Sequence, residues 1–236
     1  MINYLKEIFS NQEIPLDDNQ LAQFQAYFDL LVEWNSKMNL TAITEPREVV
    51  VKHFFDSLTP SFFYQLAGQR MIDIGAGAGF PSIPIKICFP QIQLTLLDSL
   101  NKRVKFLAAV VEELGLNDVQ CLHGRAEELA VRVDHREKYD LAISRAVARL
   151  NVLAELSLPF VKLGGKMIAL KGTKAEEEVA EAEPAFRILG GGSAKSFQLL
   201  LPDNFGERTI ILIDKQKSTP KKYPRKAGLP SKEPLQ

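Results

Sequence analysis

The chain has 236 residues, of which 46% are hydrophobic and 25% are charged, a composition that can bury a large core. It has no apolar run of membrane-spanning length and no charged leader before an apolar segment, so we expect neither a membrane span nor a secretory signal, and we expect a cytoplasmic protein. Cys88 and Cys121 lie in separate apolar segments, which predicts reduced thiols and neither a disulfide nor a metal site.

The formal net charge of zero hides an uneven distribution along the chain. From Lys215 to the C-terminus, seven basic residues stand against the single acidic Glu233, so this tail carries +6 and residues 1–214 carry −6. A basic tail on an acidic body favours a polyanionic partner, although a merely solubilising tail has the same composition. The tail is also rich in Pro and Ser, and we expect it to be extended and mobile unless a partner orders it.

The first part of the chain has helical spacing. Leu21, Phe24 and Phe28 fall at three- and four-residue intervals, and a further helix is predicted over 49–58. Residues 1–66 are therefore predicted to form a helical N-terminal extension.

From residue 67 onward, short apolar runs alternate with helical stretches, a pattern that favours a parallel sheet covered on both faces. Strands are predicted at 71–74, 93–98, 119–123, 140–144 and 165–171, and helices at 81–89, 101–114, 150–161 and 174–186. The runs at 196–201 and 208–214 are joined by six residues, too few for a crossover helix, which predicts an antiparallel pair. The predicted fold class is α/β. Residues 67–214 are predicted to form the Rossmann-like sheet of a class I methyltransferase that depends on S-adenosylmethionine (AdoMet), with a terminal antiparallel hairpin, and residues 215–236 form the tail.

The sequence DIGAGAGFPSIP at 73–84 lies between a predicted strand and a predicted helix. Glycine permits positive φ and close approach of a ligand to the backbone, so this loop predicts a nucleotide-type site at a helix N-terminus. The spacing G-x-G-x-G of Gly75, Gly77 and Gly79 is found in S-adenosylmethionine (AdoMet) sites, whereas NAD sites have G-x-G-x-x-G. Asp73, two residues ahead, is a candidate to hold the ammonium group of this cofactor.

Two further loops carry candidate cofactor contacts. Asp98, at the end of the second predicted strand, is placed to accept hydrogen bonds from ribose hydroxyls, or alternatively to cap the next helix. Ala126 and Glu127, after the third predicted strand, are candidates for contact with adenine, with the alternative that Glu127 only begins a helix.

These motifs, together with NLTAIT, KHFFDSL, LLDSLNKRVKFL, AISRAVARL and ALKG, resemble the bacterial RsmG family, also called glucose-inhibited division protein B. The resemblance runs from about Asn35 through the tail and leaves the first twenty residues without a role. Members of that family use AdoMet to methylate N7 of one guanine in the decoding region of 16S rRNA. The resemblance implies the same activity, with 16S rRNA or the small ribosomal subunit as partner, and we expect a monomer. It implies AdoMet contacts at Gly75, Phe80, Ala126, Glu127 and Arg145.

The loop after the fourth predicted strand faces the methyl acceptor in such sheets, and here it reads SRAVARL. It lacks both the Asn/Asp-Pro-Pro-Tyr/Phe sequence of enzymes that methylate exocyclic amines and the cysteine of those that methylate pyrimidine C5. Guanine N7 has an in-plane lone pair and no proton at neutral pH, so its methylation needs positioning rather than a general base. Arg145 is a candidate for positioning the cofactor or for contact with guanine O6, with a surface ion pair as the alternative.

Other residues are candidates for contact with RNA. In the tail, predicted phosphate contacts are Lys221, Lys222, Arg225 and Lys226. Tyr223 could stack on an unpaired base or pack on the body of the protein, and Lys171 could contact phosphate or lie along the surface. Asn39 and Thr41 could cap a turn, and His53 could be a core histidine or lie on the substrate side.

Two other functions stay open at this point. An NAD-linked oxidoreductase is disfavoured by the glycine spacing and by the terminal hairpin. A non-catalytic RNA-binding assembly factor that keeps a vestigial pocket would have the same motifs.

Overall fold

The computed structural model describes residues 1–12 and 14–236. Within them lies a mixed sheet whose seven strands are, in chain order, β1 (Arg70–Ile74), β2 (Gln93–Asp98), β3 (Val119–His123), β4 (Tyr139–Arg145), β5 (Val161–Lys171), β6 (Gly191–Leu200) and β7 (Glu207–Lys215). Their spatial order is β3-β2-β1-β4-β5-β7-β6. The first five strands are parallel, and β7 pairs antiparallel with both β5 and β6. The predicted Rossmann-like α/β sheet with a terminal antiparallel hairpin is confirmed.

The helices surround this sheet. They are α1 (Ile2–Ser10), α2 (Asp18–Met38), α3 (Pro46–Val49), α4 (Asp56–Leu58), α5 (Ser82–Cys88), α6 (Asn101–Glu113), α7 (Ala126–Leu129), α8 (Leu150–Ser157), α9 (Ala175–Leu189) and α10 (Leu229–Lys232). A π-helical segment connects α3 to α4, and short 3-10 turns follow α4, α8 and β6; these segments are Val50–Phe55, Thr59–Phe62, Leu158–Phe160 and Pro202–Asn204. Among the described residues, no helix combines the length and the apolar character needed to cross a membrane.

The sheet determines where a site can form. Strands β1 and β4 are neighbours in space, but β2 and β3 lie between them in sequence, so the chain order reverses at this point. In open α/β sheets, such a reversal opens a crevice at the carboxyl ends of the strands. The central strands are buried on both faces, as at Ile72 and Ile143, which explains their continuous apolar sequence.

The N-terminal helices share a hydrophobic core with one face of the sheet. The ring of Tyr27 on α2 lies 5.5 Å from that of Phe54 and 5.3 Å from that of Phe80, centroid to centroid. The Tyr27 hydroxyl donates a hydrogen bond to the carbonyl of Ala78, inside the glycine-rich loop, at 2.5 Å. Phe9 on α1 is fully buried in the same core. The N-terminal helices therefore support the loop from behind.

The tail is packed, which corrects the expectation of an extended and mobile segment. The Tyr223 ring is buried in the core between α8 and α9. The Arg225 guanidinium forms a bidentate ion pair with the carboxylate of Glu155, and its Nη2 lies 2.6 Å from Oε2. The guanidinium of Arg136 donates hydrogen bonds to the carbonyls of Thr219 at 2.7 Å and Tyr223 at 2.8 Å. Composition could not reveal this, because the groups that bind the tail belong to distant parts of the sequence.

This ion pair predicts a specific loss of stability. In Arg225→Ala, the Glu155 carboxylate, whose side chain is only 1% exposed, would remain buried without its guanidinium partner. We expect the free energy of unfolding to fall by about 3 kcal/mol in urea titration. The matched control is Lys226→Ala, at an exposed neighbouring position, which should change the free energy of unfolding by less than about 0.5 kcal/mol. Equal stability of the two variants would contradict a buried anchor for the tail.

Candidate active site

Three cavities that share lining residues lie along the carboxyl edge of the parallel strands, within the described part of the chain. The β3-side cavity has a volume of about 190 Å³ and is lined mainly by Gly75, Gly124, Ala126, Glu127, Val147, Leu156, Gly228 and Ser231. The central cavity has about 350 Å³ and is lined mainly by Thr41, His53, Gly75, Gly77, Phe80, Asp98, Ser99, Arg103, Arg145 and Val147. The β5-side cavity has about 310 Å³ and is lined mainly by Lys52, His53, Asp56, Arg145, Ala146, Lys171 and Arg208.

The glycine-rich loop forms one wall of the central cavity. Gly77 has a φ of +59°, and among the described residues the nearest atom to a Cβ added there would be the Gly75 carbonyl oxygen, at 3.8 Å. The backbone at Gly77 is therefore open to a ligand. At Gly79, with φ +92°, an added Cβ would lie 2.7 Å from both the Tyr27 hydroxyl and Ile83 Cδ1, so this glycine is required by packing inside the protein.

Asp98 has a structural role and also lines the central cavity. Its carboxylate accepts hydrogen bonds from the backbone N–H groups of Gly77 at 2.9 Å and Leu100 at 2.8 Å. It therefore holds the glycine-rich loop and the entry to α6 together. The second contact is with the N-cap residue of α6 itself, and no side chain caps that helix, so the structure does not support the capping alternative; the ribose contact stays a prediction.

Asp73 is not among the residues that line the central cavity. Its side chain is fully buried, Oδ2 accepts a hydrogen bond from the Ser82 hydroxyl at 2.6 Å, and Oδ1 has no hydrogen-bond partner within the described residues. Burial raises the pKa of Asp73 to about 7, although the Ser82 hydrogen bond opposes this shift. The Asp73 carboxylate therefore does not border the cavity in which a cofactor ammonium group would bind.

The loop and helix after β3 face the β3-side cavity. Ala126 and Glu127 line this cavity, and both belong to the first turn of α7, so the helix-start alternative for Glu127 also holds. Glu127 Oε1 accepts a hydrogen bond from the backbone N–H of Gly228 at 2.8 Å. Sequence reasoning did not detect this contact with the tail.

Arg145 lies between the central and β5-side cavities and lines both. Its Nη1 donates hydrogen bonds to Asp56 Oδ2 at 2.8 Å and to the Lys52 carbonyl at 3.0 Å. The other Asp56 oxygen, Oδ1, accepts a hydrogen bond from Arg208 Nε at 2.9 Å. The ion pair predicted as an alternative for Arg145 exists, but it is buried, since the Asp56 side chain is 1% exposed.

His53 also lines both cavities. Its ring stacks on Phe80 with centroids 4.4 Å apart, Nε2 lies 2.9 Å from the Thr41 hydroxyl, and Nδ1 lies 3.2 Å from Nη2 of Arg145. Burial, and then the charge of Arg145, lower the pKa of His53 to about 3, so the ring is neutral at physiological pH. Asn39 ends α2 in the left-handed conformation, which agrees with a turn-capping role.

The candidate RNA contacts are divided between buried and exposed positions. The ammonium of Lys171 donates hydrogen bonds to the Ala148 carbonyl at 2.6 Å and to Glu178 at 2.7 Å, so it holds the loop after β4 and is not free for phosphate. Arg225 and Tyr223 are engaged inside the protein as described above, so the packing alternative for Tyr223 is the correct one. Of the candidate contacts in the tail, Lys221, Lys222 and Lys226 are exposed, as are Lys217 and Lys232 nearby.

The residues of these cavities fit AdoMet. The backbone at Gly77 leaves room for a close ligand, and the Asp98 carboxylate beside it suits hydroxyl groups. The neighbouring β3-side cavity combines apolar walls with the charged side chains of Glu127 and Arg125. The connected cavities suit an extended ligand with polar groups at several points.

A family model described as rRNA small subunit methyltransferase G (GidB) matches residues 20–200. The chain belongs to this family. Ribosomal RNA small subunit methyltransferase G from Staphylococcus epidermidis is 54% identical to this RsmG family member over 235 residues, which are 99% of this chain and 98% of that protein. The protein of the same name from Brevibacillus brevis is 53% identical over 232 residues, which are 97% of each chain. The resemblance predicted from the motifs is confirmed.

Solved structures agree on the fold of the RsmG chain. An O-methyltransferase from Bacillus cereus in complex with SAH has a TM-score of 0.57 at 17% identity and covers 91% of this chain and 100% of its own. A SAM-dependent methyltransferase from Aquifex aeolicus has a TM-score of 0.53 at 15% identity and covers 74% of this chain and 96% of its own. At these identities the two structures bear on the fold alone, which is that of class I methyltransferases. Family membership identifies the chain as an AdoMet-dependent methyltransferase, and the NAD-linked alternative is rejected.

The two contacts of Asp98 predict a combined effect of its removal. Asp98→Ala would leave the Gly77 and Leu100 N–H groups without their acceptor and would remove the carboxylate from the central cavity. We expect AdoMet affinity in calorimetric titration and the free energy of unfolding each to fall by about 1–3 kcal/mol. Unchanged AdoMet affinity with reduced stability would show that Asp98 has only the structural role.

Asp73 predicts a dependence of stability on pH. The folded-state pKa of Asp73 is raised to about 7 from the ordinary value of 3.8. The contribution of this carboxyl to the free energy of unfolding is therefore fully present below pH 3.8 and is lost as the pH rises toward 7. Asp73→Asn does not ionise, so its free energy of unfolding, relative to the parent, should rise between about pH 5 and pH 7.5, by an amount on the order of 2 to 4 kcal/mol. Urea titrations at both pH values measure this difference. A difference that does not change with pH would mean that Asp73 is already ionised in the folded protein.

Proposed function

We propose that the chain methylates N7 of one guanine in the decoding region of 16S rRNA, acting on 16S rRNA or on the small ribosomal subunit. Family membership and relatives named ribosomal RNA small subunit methyltransferases support this proposal. The single observation that carries it is the β5-side cavity, which shares His53, Arg145 and Ala146 with the central cavity and is lined by several cationic side chains. Guanidinium donors beside the methyl-donor site suit the O6 edge of a guanine base.

AdoMet, when bound, supplies an electrophilic methyl group carried on a positively charged sulfur. The chain's own residues would hold it at Gly75, Gly77 and Phe80 in the central cavity, with Asp98 toward the ribose. Ala126 and Glu127 would contact the adenine in the β3-side cavity.

We assign Arg145 to positioning and Arg208 to contact with the base. Arg145 is already engaged with Asp56, Lys52 and His53 and is only 14% exposed, so it fixes the wall between the two cavities. Arg208 is 25% exposed and shares the Asp56 carboxylate. Its guanidinium is therefore the better candidate to donate hydrogen bonds to guanine O6 while leaving N7 free to react.

His53 contributes a neutral aromatic wall to the methyl-transfer region. A protonated imidazole beside a sulfonium would raise the energy of the bound cofactor, and the low pKa of His53 prevents this at physiological pH. A base is not required, because guanine N7 carries no proton to remove. The contribution of the chain is to orient the reacting groups and to exclude water.

The exposed tail lysines, Lys221, Lys222 and Lys226, complete the proposed RNA contact by binding phosphates. The division into a helical extension at 1–66, a catalytic part at 67–214 and a basic tail at 215–236 also belongs to the proposal. The monomeric state and the cytoplasmic location stay predictions.

Mass mapping of modified nucleotides tests the function. We expect 16S rRNA from cells with this protein to contain one N7-methylguanine in the decoding region that is absent from cells lacking it and restored by the parent gene. An identical modification map in both strains would overturn the proposal. Labelled AdoMet with purified subunits would separate an enzyme from a non-catalytic assembly factor.

The assignment of Arg208 predicts a loss on the RNA side alone. Arg208→Lys keeps a positive charge beside Asp56 but removes the planar donor fork, so kcat/KM for rRNA should fall by about tenfold or more while AdoMet affinity stays within about twofold. The control is Arg47→Lys, an exposed arginine paired with Asp203 at the surface, which should change neither quantity. Weakened AdoMet binding in Arg208→Lys, or unchanged kcat/KM, would contradict the assignment.

A further inference from the structure

We propose that the C-terminal segment, Thr219–Gln236, completes the adenine subsite of the cofactor pocket, and that Gly228 and Ser231 form its outer wall. This inference rests on the AdoMet dependence of the chain and not on which base is methylated.

Buried contacts hold the beginning of the segment in place. The Arg225 backbone N–H and guanidinium both donate hydrogen bonds to Glu155, at 2.7 Å and 2.6 Å at the nearest. Arg136 holds two carbonyls of the same segment, and the Tyr223 side chain is 7% exposed. Side chains of the α/β body therefore fix the direction in which the last ten residues leave the core.

From this anchor, the chain reaches the β3-side cavity. The Gly228 N–H donates to Glu127 Oε1 at 2.8 Å, a contact between residues 101 positions apart in the sequence. Gly228 has a φ of +82°, a conformation that glycine adopts without strain, and it is followed directly by α10. Gly228 and Ser231 both line the cavity, together with Gly124 and Ala126 of the loop and helix after β3. Without the segment, the cavity would lose this part of its wall.

The chemistry of the cavity suits an adenine ring. Ile74, Leu97 and Leu156 provide apolar walls, and the polar side chains in the lining are Ser99, Arg125, Glu127 and Ser231. A carboxylate has two acceptor oxygens, so with Oε1 of Glu127 bound to Gly228, Oε2 is left to accept from an exocyclic amine. The Gly228 contact also fixes the rotamer of Glu127, so the tail orients the group that reads the base.

This arrangement gives the tail a role in addition to the proposed RNA contact. If the tail only bound RNA, its removal would leave AdoMet affinity unchanged. If it completes the adenine subsite, its last ten residues contribute to AdoMet binding in the absence of any RNA.

The test uses a chain that ends after Lys226, which keeps Tyr223 and Arg225 and removes Gly228 and Ser231. Calorimetric titration with AdoMet, and with 5′-methylthioadenosine as a probe that has the adenine but lacks the amino-acid group, should show both affinities reduced by about tenfold or more. This chain also loses the buried Pro230 and the Leu235 that packs on the core between α8 and α9, so urea titration without ligand accompanies the binding measurement, under conditions in which both chains are folded. AdoMet affinity within about twofold of the parent would overturn the proposal.

A full-length variant distinguishes the subsite from general destabilisation. Gly228→Pro removes the N–H that binds Glu127 and cannot adopt the observed φ. Its matched control is Gly164→Pro, which has the same conflict at φ +79° with no protein atom near its added Cβ, outside the three cavities. We expect weaker AdoMet binding in Gly228→Pro alone. Equal affinities in these two variants would overturn the proposal, and because no RNA is present, failure of the guanine assignment would leave this result unchanged.

Discussion

The carboxylate of Asp56 binds two guanidinium groups from separate parts of the chain, and the geometry of the site depends on this interaction. Asp56 belongs to α4 in the N-terminal helices, Arg145 ends β4, and Arg208 lies at the beginning of β7. A carboxylate that is 1% exposed requires charged partners, because an unpaired charge in a protein interior is strongly destabilising. The pairing therefore joins the N-terminal helices to both halves of the sheet. It also fixes Arg145, and through it His53, at the boundary between two cavities.

The need of buried charges for oppositely charged partners also explains why the tail packs on the protein. Its positive charge indicated an external polyanion, yet part of that charge is neutralised inside the molecule, where Glu155 binds Arg225 and Glu137 lies 3.5 Å from the ammonium of Lys215. Five lysines of the tail stay exposed, and the proposed phosphate contacts Lys221, Lys222 and Lys226 are among them. The internal pairs direct the tail toward the cofactor pocket, so one segment can connect cofactor binding with RNA binding.

Much of the fold and part of the site could be predicted from sequence, for physical reasons. Apolar periodicity located the strands. Asp98, Ala126 and Arg145 each come at or after the end of a predicted strand, and the carboxyl ends of parallel strands meet at one edge of the sheet. Local sequence could not show which glycine faces a ligand, since Gly77 borders the cavity whereas Gly79 makes room for a tyrosine from a distant helix. The burial of Asp73 and the pairing of Lys171 with Glu178 could not be predicted for a similar reason, because both depend on neighbours that sequence spacing does not reveal. Contacts between residues far apart in sequence, such as Asp56 with Arg208, could not be detected at all.

In the proposed reaction, an unprotonated ring nitrogen attacks the methyl donor beside His53, which is neutral at physiological pH. The rate of methyl transfer to rRNA in a single turnover, measured from about pH 6 to about pH 8 with enzyme and AdoMet saturating, tests this arrangement most directly. The proposed transfer predicts a rate that stays constant across this range, because neither guanine N7 nor the chain must lose a proton. A rate that rises about tenfold per pH unit, with RNA binding unchanged, would show that a protein base is required and would contradict the account.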